Sequence, residues 1–274
     1  MPFLYMEINF GFTKCNSMKS IYQIISLLLI CNMSQAQNVC LGARGGFSIP
    51  DLTAGNTDNP LSKGYKSRLG ADGALFAEFK FSENFSLQPM VEYSAQGGKK
   101  EGLQAISTPD EIKSFYPVGQ SPQYLYANYK SEAKLDYILI PVLAKFSWSI
   151  QKSPLSIYLD AGPFVGFLVS AKQVTSGQSQ LYTNPSQTDV LPVGTESFNH
   201  TEDIKSQLHK ANVGIEGNLG FAYRFGSHSI FIEGGGNYGF VNIQKQTANG
   251  KNNTGAGAAT IGYSYCIVHK ANRK

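Results

Sequence analysis

From residue 37 onward, apolar and polar residues alternate with a period of two in eight separate runs. Successive side chains of a strand point to opposite faces, so each run predicts a strand with one apolar and one polar face. The first sets Val39, Leu41, Ala43 and Phe47 against Cys40, Arg44 and Ser48. The second sets Leu69, Ala71, Leu75, Phe79 and Phe81 against Asp72, Glu78 and Lys80, and the third opposes Phe85, Leu87, Val91 and Tyr93 to Gln88, Glu92 and Gln96. The fourth, near 130–148, is apolar on both faces from Tyr137 onward, which leaves its phase open. In the fifth, Leu155, Ile157, Leu159, Val165 and Phe167 oppose Ser156, Tyr158 and Asp160. The sixth opposes Val213, Ile215, Leu219, Phe221, Tyr223 and Phe225 to Asn212, Glu216, Asn218 and Arg224. Ile230, Ile232, Tyr238 and Phe240 face away from Glu233 and Asn237 in the seventh; Ala259, Ile261, Tyr263, Tyr265 and Ile267 alternate with Thr260, Ser264 and Cys266 in the last.

The connections turn these strands into an architecture. Long ones at about 50–67, 97–128, 172–208 and 245–253 alternate with tight ones at Ser82-Glu83-Asn84, Gln151 to Pro154 and Gly226-Ser227-His228. Long-short alternation over eight strands predicts an all-β fold, an eight-stranded antiparallel up-and-down transmembrane β-barrel with periplasmic termini and extracellular long loops. Each run reaches the roughly 9–11 tilted residues that span a bilayer. Phe79, Phe81, Phe85, Tyr223, Phe225 and Tyr265 fall at the short-turn ends, and Phe47, Tyr93, Phe167, Tyr238 and Phe240 toward the long-loop ends, as two aromatic girdles would require. In the second long connection, Thr108-Pro109-Asp110-Glu111 has the form of a capping box with proline at the first helical position, which predicts one short helix.

Composition supports this picture. Charged residues are 15% of the chain, against roughly 25% in ordinary soluble domains. Glycine numbers 28, tyrosine 15 and phenylalanine 17, as expected if lipid meets one face of every strand and girdles bound it. A net charge of +4, scattered along the chain, excludes a nucleic-acid binder. Mean hydropathy of −0.18 argues against a helical membrane protein. The one long apolar run, Ile21 to Ile30, falls short of the roughly 20 residues of a spanning helix. With Met18-Lys19 before it and Ser34-Gln35-Ala36 after it, the run reads as a secretory signal at 18–36, cleaved after Ala36. Residues 1–17 then read as an over-called start, 37–268 as the outer-membrane barrel domain and 269–274 as a basic tail.

On this phase Arg44, Asp72, Glu78, Lys80, Glu92, Asp160, Glu216, Arg224 and Glu233 point inward, away from lipid. Eight strands enclose just enough space for their own side chains. The inward charges are therefore expected to form a structural ion-pair network, with Arg44 beside Glu78 and Arg224 beside Glu233; a proton or ion path stays open as the alternative. Cys40 and Cys266 fall inward at the same end of the first and last strands, which a closed barrel makes neighbours. A disulfide across the seam and two free thiols both remain possible. His200, His209, His228 and His269 share no metal-ligand spacing, and His228 and His269 are expected to be solvated. No metal, cofactor or catalytic residue is expected, and the chain is not read as an enzyme. Gly234-Gly235-Gly236 inside a strand should admit a neighbouring backbone or bend the sheet.

One hairpin carries a resemblance. Leu135-Asp136-Tyr137-Ile138-Leu139-Ile140-Pro141-Val142-Leu143-Ala144-Lys145 is followed by Tyr158-Leu159-Asp160-Ala161-Gly162-Pro163-Phe164-Val165-Gly166-Phe167-Leu168. It resembles the PorT-like outer-membrane β-barrel family, and the opening Gly42-Ala43-Arg44-Gly45-Gly46 is similar to that family's first strand. The resemblance implies an outer-membrane barrel and, through the namesake, an accessory role in protein secretion. Pro141 and Pro163 cannot donate to a ladder, so each is expected to mark a bulge. Unlike barrels that end on an aromatic residue, the chain continues past Tyr265 through Cys266-Ile267-Val268 into the basic tail.

The expected role is structural or interactive, through surface loops whose aromatics Phe115, Tyr116, Tyr124, Tyr126 and Tyr129 offer contacts. Expected partners are outer-membrane lipid and lipopolysaccharide, the outer-membrane insertion machinery and a protein or glycan at the loops, with no nucleic acid and a monomeric state. The alternatives are the secretion accessory, a small pore and a lipid-modifying barrel enzyme.

Overall fold

The computed structural model describes residues 38–55 and 59–268. The signal at 18–36, its cleavage after Ala36 and the tail at 269–274 lie outside the described residues. The strands are β1 (Asn38–Ala54), β2 (Gly70–Lys80), β3 (Phe85–Ser107), β4 (Tyr124–Ser149), β5 (Leu155–Ser176), β6 (Gln178–Tyr182), β7 (Val190–Ser197), β8 (His200–Asp203), β9 (Ala211–Phe225), β10 (His228–Gly239) and β11 (Asn252–Val268). Among the described residues one α-helix, α1 (Asp110–Lys113), lies between β3 and β4.

Eight of these strands close a ring in the order β1-β2-β3-β4-β5-β9-β10-β11, and β11 returns to pair with β1. Every pairing is antiparallel. The seam register runs from Asn38↔Val268 to Ala54↔Asn252, which places the start of β1 and the end of β11 together at the short-turn end. The fold is the eight-stranded transmembrane barrel that the alternation predicts. Leu41, Leu75, Val91, Leu159, Val213, Ile232 and Ile261 are all exposed on its outer face, where lipid replaces water as the solvent.

The phase of the fourth strand has a physical cause. Ile138, Ile140, Val142, Phe146 and Trp148 face lipid, while Tyr137, Leu139 and Leu143 on the opposite face belong to apolar packing inside the barrel. With both environments apolar, alternation vanishes from the sequence.

Pro141 and Pro163 do not mark bulges. Pro141 pairs with Phe164 and Pro163 with Ile215 in unbroken register, whereas the register shift between β4 and β5 falls at Asp136/Tyr137. A proline without its N–H removes a rung and leaves the register alone. The capping box also fails: Pro109 is itself the N-cap of α1, and Thr108 donates its hydroxyl to the Pro122 carbonyl at 2.6 Å.

The long connections are more ordered than loops. β3 and β4 continue their pairing out to Ser107↔Tyr124, beyond the length a membrane needs. The third connection folds into β6, β7 and β8; β6 joins β4 at Tyr126↔Tyr182, and β8 joins β5. Leu125, Ala127, Leu181 and Leu191 form a separate small core there, backed by Ile106, Ile112, Tyr129 and Phe198.

Candidate functional site

The interior is layered along the barrel axis. Nearest the short turns, Lys145 Nζ reaches Glu78 Oε2 at 3.3 Å and Gln88 Oε1 at 3.1 Å, and Ser86 donates to Glu78 Oε1 at 2.9 Å. The Lys145 ammonium lies over the Tyr158 ring, 4.1 Å from its centroid. Next comes an apolar layer of Phe76, Met90, Leu143, Tyr158 and Phe231, in which Phe76 meets Phe231 edge-on at 5.8 Å. These rings need space, and glycines on neighbouring strands supply it. A Cβ on Gly42 would lie 2.3 Å from Phe76 Cζ, and one on Gly262 would lie 2.1 Å from Phe231 Cζ.

Arg44 organises the third layer. Its Nη1 donates to Glu233 Oε1 at 2.5 Å, and its Nη2 to Glu216 Oε1 at 2.8 Å and to Glu92 Oε2. Tyr158 donates to the second oxygen of Glu233 at 2.7 Å, which ties this layer to the apolar one beneath. Asn218 bridges Asp160 at 2.9 Å and Glu216 at 3.1 Å. The guanidinium suits this position because its planar fork offers several donors in fixed directions. Above it, Leu135, Tyr137, Leu139, Phe164 and Leu168 pack with Leu52 at the upper end of β1 and with Ile204, Leu208 and Ile243 from the connections, so the long-loop mouth carries its own apolar stopper.

The expected pairings need correcting. Arg44 binds Glu92, Glu216 and Glu233 and not Glu78, because the chain closes into a ring and brings β9 and β10 across from β1. Glu78 is held by Lys145 and, at 3.9 Å, by Lys80. Arg224 is exposed at the short-turn rim and makes no ion pair with Glu233, whose carboxylate is already taken by Arg44, Tyr158 and Thr260. Asp72 and Asp160 are buried but bond no cation among the described residues; Asp160 is held by an amide instead. Alternation does not mark Lys145 as inward, because it lies on the strand whose two faces are both apolar from Tyr137 onward.

At the seam, Cys40 and Cys266 face each other and their sulfurs lie 2.04 Å apart. His228 is not simply solvated: its Nδ1 lies 2.5 Å from the Tyr263 hydroxyl, and its ring stacks on Phe225 at 5.5 Å within the aromatic girdle. At Gly235 a Cβ would meet Asn218 Oδ1 at 2.1 Å, so the glycine run does admit close neighbours. Among the described residues no His, Cys, Asp and Glu group could hold a metal ion.

The loop aromatics separate into two kinds. Phe115 is 79% exposed beside fully exposed Val118, at the tip beyond α1. Tyr129 instead stacks on Phe198 at 4.5 Å and helps fix the lobe. Tyr116, Tyr124 and Tyr126 are half-buried, and Tyr126 sits opposite Tyr182.

A family described as outer membrane protein beta-barrel domain matches residues 35–245. No curated protein matches the chain. Solved structures with a similar course include Neisserial surface protein A, 13% identical over 83% of this chain and 96% of that chain, with a TM-score of 0.40. OprG from Pseudomonas aeruginosa is 12% identical over 85% of this chain and 98% of its own, at 0.34. Ail, the attachment invasion locus protein of Yersinia pestis, is 9% identical over 84% and 99%, also at 0.34.

Proposed function

Because the chain belongs to the outer membrane protein beta-barrel domain family, we propose that it is a closed outer-membrane anchor that presents its long-loop lobe to a protein or glycan outside the cell. The short turns and both termini face the periplasm in this reading. The observation that carries it is the lobe itself: the β3–β4 hairpin and β6–β7 share a core outside the barrel and hold Phe115 and Val118 out at the tip. Ordering residues beyond the membrane costs conformational entropy, which a mere connection has no need to meet. Layered packing inside the barrel supports an anchor over a pore.

Two measurements test the proposal. A cysteine placed at Val118 should be labelled by an impermeant maleimide on intact cells; labelling only after permeabilisation would reverse the orientation. A photoreactive residue at Phe115 should give protein or glycan adducts that one at lipid-facing Val213 does not. Equal adduct patterns at the two positions would sink the recognition role.

The second reading is the secretion accessory, favoured by the hairpin of Pro141 and Ala161-Gly162-Pro163 that resembles the PorT-like family. Its signature is exported cargo retained in the periplasm when the gene is lost, with unaltered adducts at Phe115.

A further inference from the structure

Between the apolar stopper and the connections of the long-loop end lies a cavity of about 390 Å³, a size within the range of small-molecule pockets. Its walls come from β3, β4, β5 and the long connections. Lys100 is buried in this wall, 8% exposed. Its ammonium donates to the Leu61 carbonyl at 2.6 Å and lies over the Tyr65 ring at 4.3 Å. Among the described residues no carboxylate pairs with it. Buried charges are ordinarily paired, because an ammonium out of water loses several kcal/mol of hydration. Here burial, uncompensated by any acid among the described residues, pushes Lys100 down to about 8, so it stays a cation at neutral pH.

The other polar groups of the wall have a common bias. Gln104 donates its amide to the Tyr129 carbonyl at 2.6 Å, Gln173 to Ser131 at 2.9 Å, and Gln207 to Glu202 at 3.0 Å. Gln244 donates to Asn252 at 3.4 Å. In each case one amide hydrogen is engaged by protein, while the amide oxygen accepts no hydrogen bond from the described residues. A cavity with one unpaired cation and several unfilled acceptors fits a ligand with one negative charge and several hydroxyl donors. Tyr65 adds an aromatic wall.

We infer that this cavity binds a small polyhydroxy carboxylate of the acidic-monosaccharide class, its carboxylate on Lys100 and its hydroxyls on the glutamine oxygens. The site shares Ile106 and Tyr129 with the lobe's core but lies away from the tip, since neither Phe115 nor Val118 lines it. Besides Lys100, the titratable groups lining it are Tyr65, Tyr129 and Glu202. Burial first, and then Tyr129, push Tyr65 up to about 12, and burial also raises Tyr129. Both phenols are therefore neutral where Lys100 titrates, and Glu202 stands exposed at the rim, occupied by Gln207.

The probe is glucuronate, titrated calorimetrically into the folded barrel in detergent, with glucose and acetate as comparators. Saturable glucuronate binding is expected, weaker for either comparator. Lys100→Gln should weaken it by about tenfold to a hundredfold, the range of a lost charge-assisted hydrogen bond. Lys100→Arg should retain more than Lys100→Gln does. Affinity should fall as pH rises through about 8. Gel mobility of unboiled samples verifies that each variant is folded, and Gln104→Leu with Gln173→Leu provides a second test that leaves the cation in place. No saturable binding by folded wild type, undiminished binding in Lys100→Gln, or acetate binding as tightly as glucuronate would each overturn the assignment.

Discussion

Arg44 is the residue on which most of the buried charge depends. Its guanidinium serves three carboxylates, those of Glu92, Glu216 and Glu233, in a layer that water reaches poorly. A buried pair is weak evidence for stability as a whole, yet removing one partner leaves bare charge behind. Arg44→Met should therefore lower unfolding stability by about 3–5 kcal/mol, measured by urea titration of the refolded barrel. Replacing Arg44, Glu92, Glu216 and Glu233 together by apolar residues should cost much less; an equal loss in both would mean that shape, not charge, is what Arg44 supplies. Lys100 behaves differently because no carboxylate among the described residues pairs with it. Its folded value of about 8 lies below the ordinary 10.5, so the buried ammonium opposes folding in full below pH 8. That opposition is relieved as pH climbs from about 8 toward 10.5, where the folded group loses its proton before the unfolded one does. Relative to Lys100→Met, the unliganded wild type should gain stability over that interval, and parallel pH profiles would contradict the isolated cation.

Strands are locked to one another by a covalent tie and by fitted rings. The Cys40–Cys266 pair closes a sequence separation of 226 residues at the seam between β1 and β11. Such a link restricts the unfolded chain, so Cys40→Ser with Cys266→Ser should cost about 2–5 kcal/mol. The check is the boiling temperature at which gel mobility changes, with and without reductant; no difference would leave the seam to hydrogen bonds alone. Glycine and ring fit as a unit as well. Gly42→Ala would press on Phe76 and on the Tyr263 carbonyl, 2.6 Å from the added carbon, and should destabilise by roughly 1–3 kcal/mol. Phe76→Leu should recover part of that loss if the ring is the obstacle. Strands of this kind are legible from sequence wherever lipid and a polar interior impose opposite demands, as along Leu155 to Val165. They become illegible where the interior is itself apolar, as at Tyr137 to Leu143. The inward face of Arg44 could be read, but its partners could not. Those partners lie 48, 172 and 189 residues away and are set by ring closure, which no local pattern encodes. Lys100 is illegible for a related reason: it sits in what alternation marks as a loop, and its burial depends on Leu61 and Tyr65 from another connection.

At the scale of the whole molecule, two apolar layers stand on either side of the Arg44 layer: Phe76, Met90, Leu143 and Phe231 toward the short turns, and Leu135, Leu139, Phe164 and Leu168 toward the mouth. An ion crossing the barrel would have to shed its water twice and pass a guanidinium held by carboxylates between. In the closed-anchor reading either apolar layer alone is a sufficient obstacle, since transferring an unpaired charge into apolar surroundings costs several kcal/mol even after relaxation. Wild type in planar bilayers should therefore show no steady conductance. Phe164→Ala with Leu168→Ala empties part of the upper layer and should remain silent, because the lower layer is intact. The same holds for Phe76→Ala with Phe231→Ala, which leaves the upper layer in place. Only a variant truncated in both layers should pass current, provided its unboiled mobility shows that it still folds. Steady single-channel current through folded wild type would refute the closed anchor outright. Current through either single-layer variant would show that one layer, and not the stack, is what holds the barrel shut.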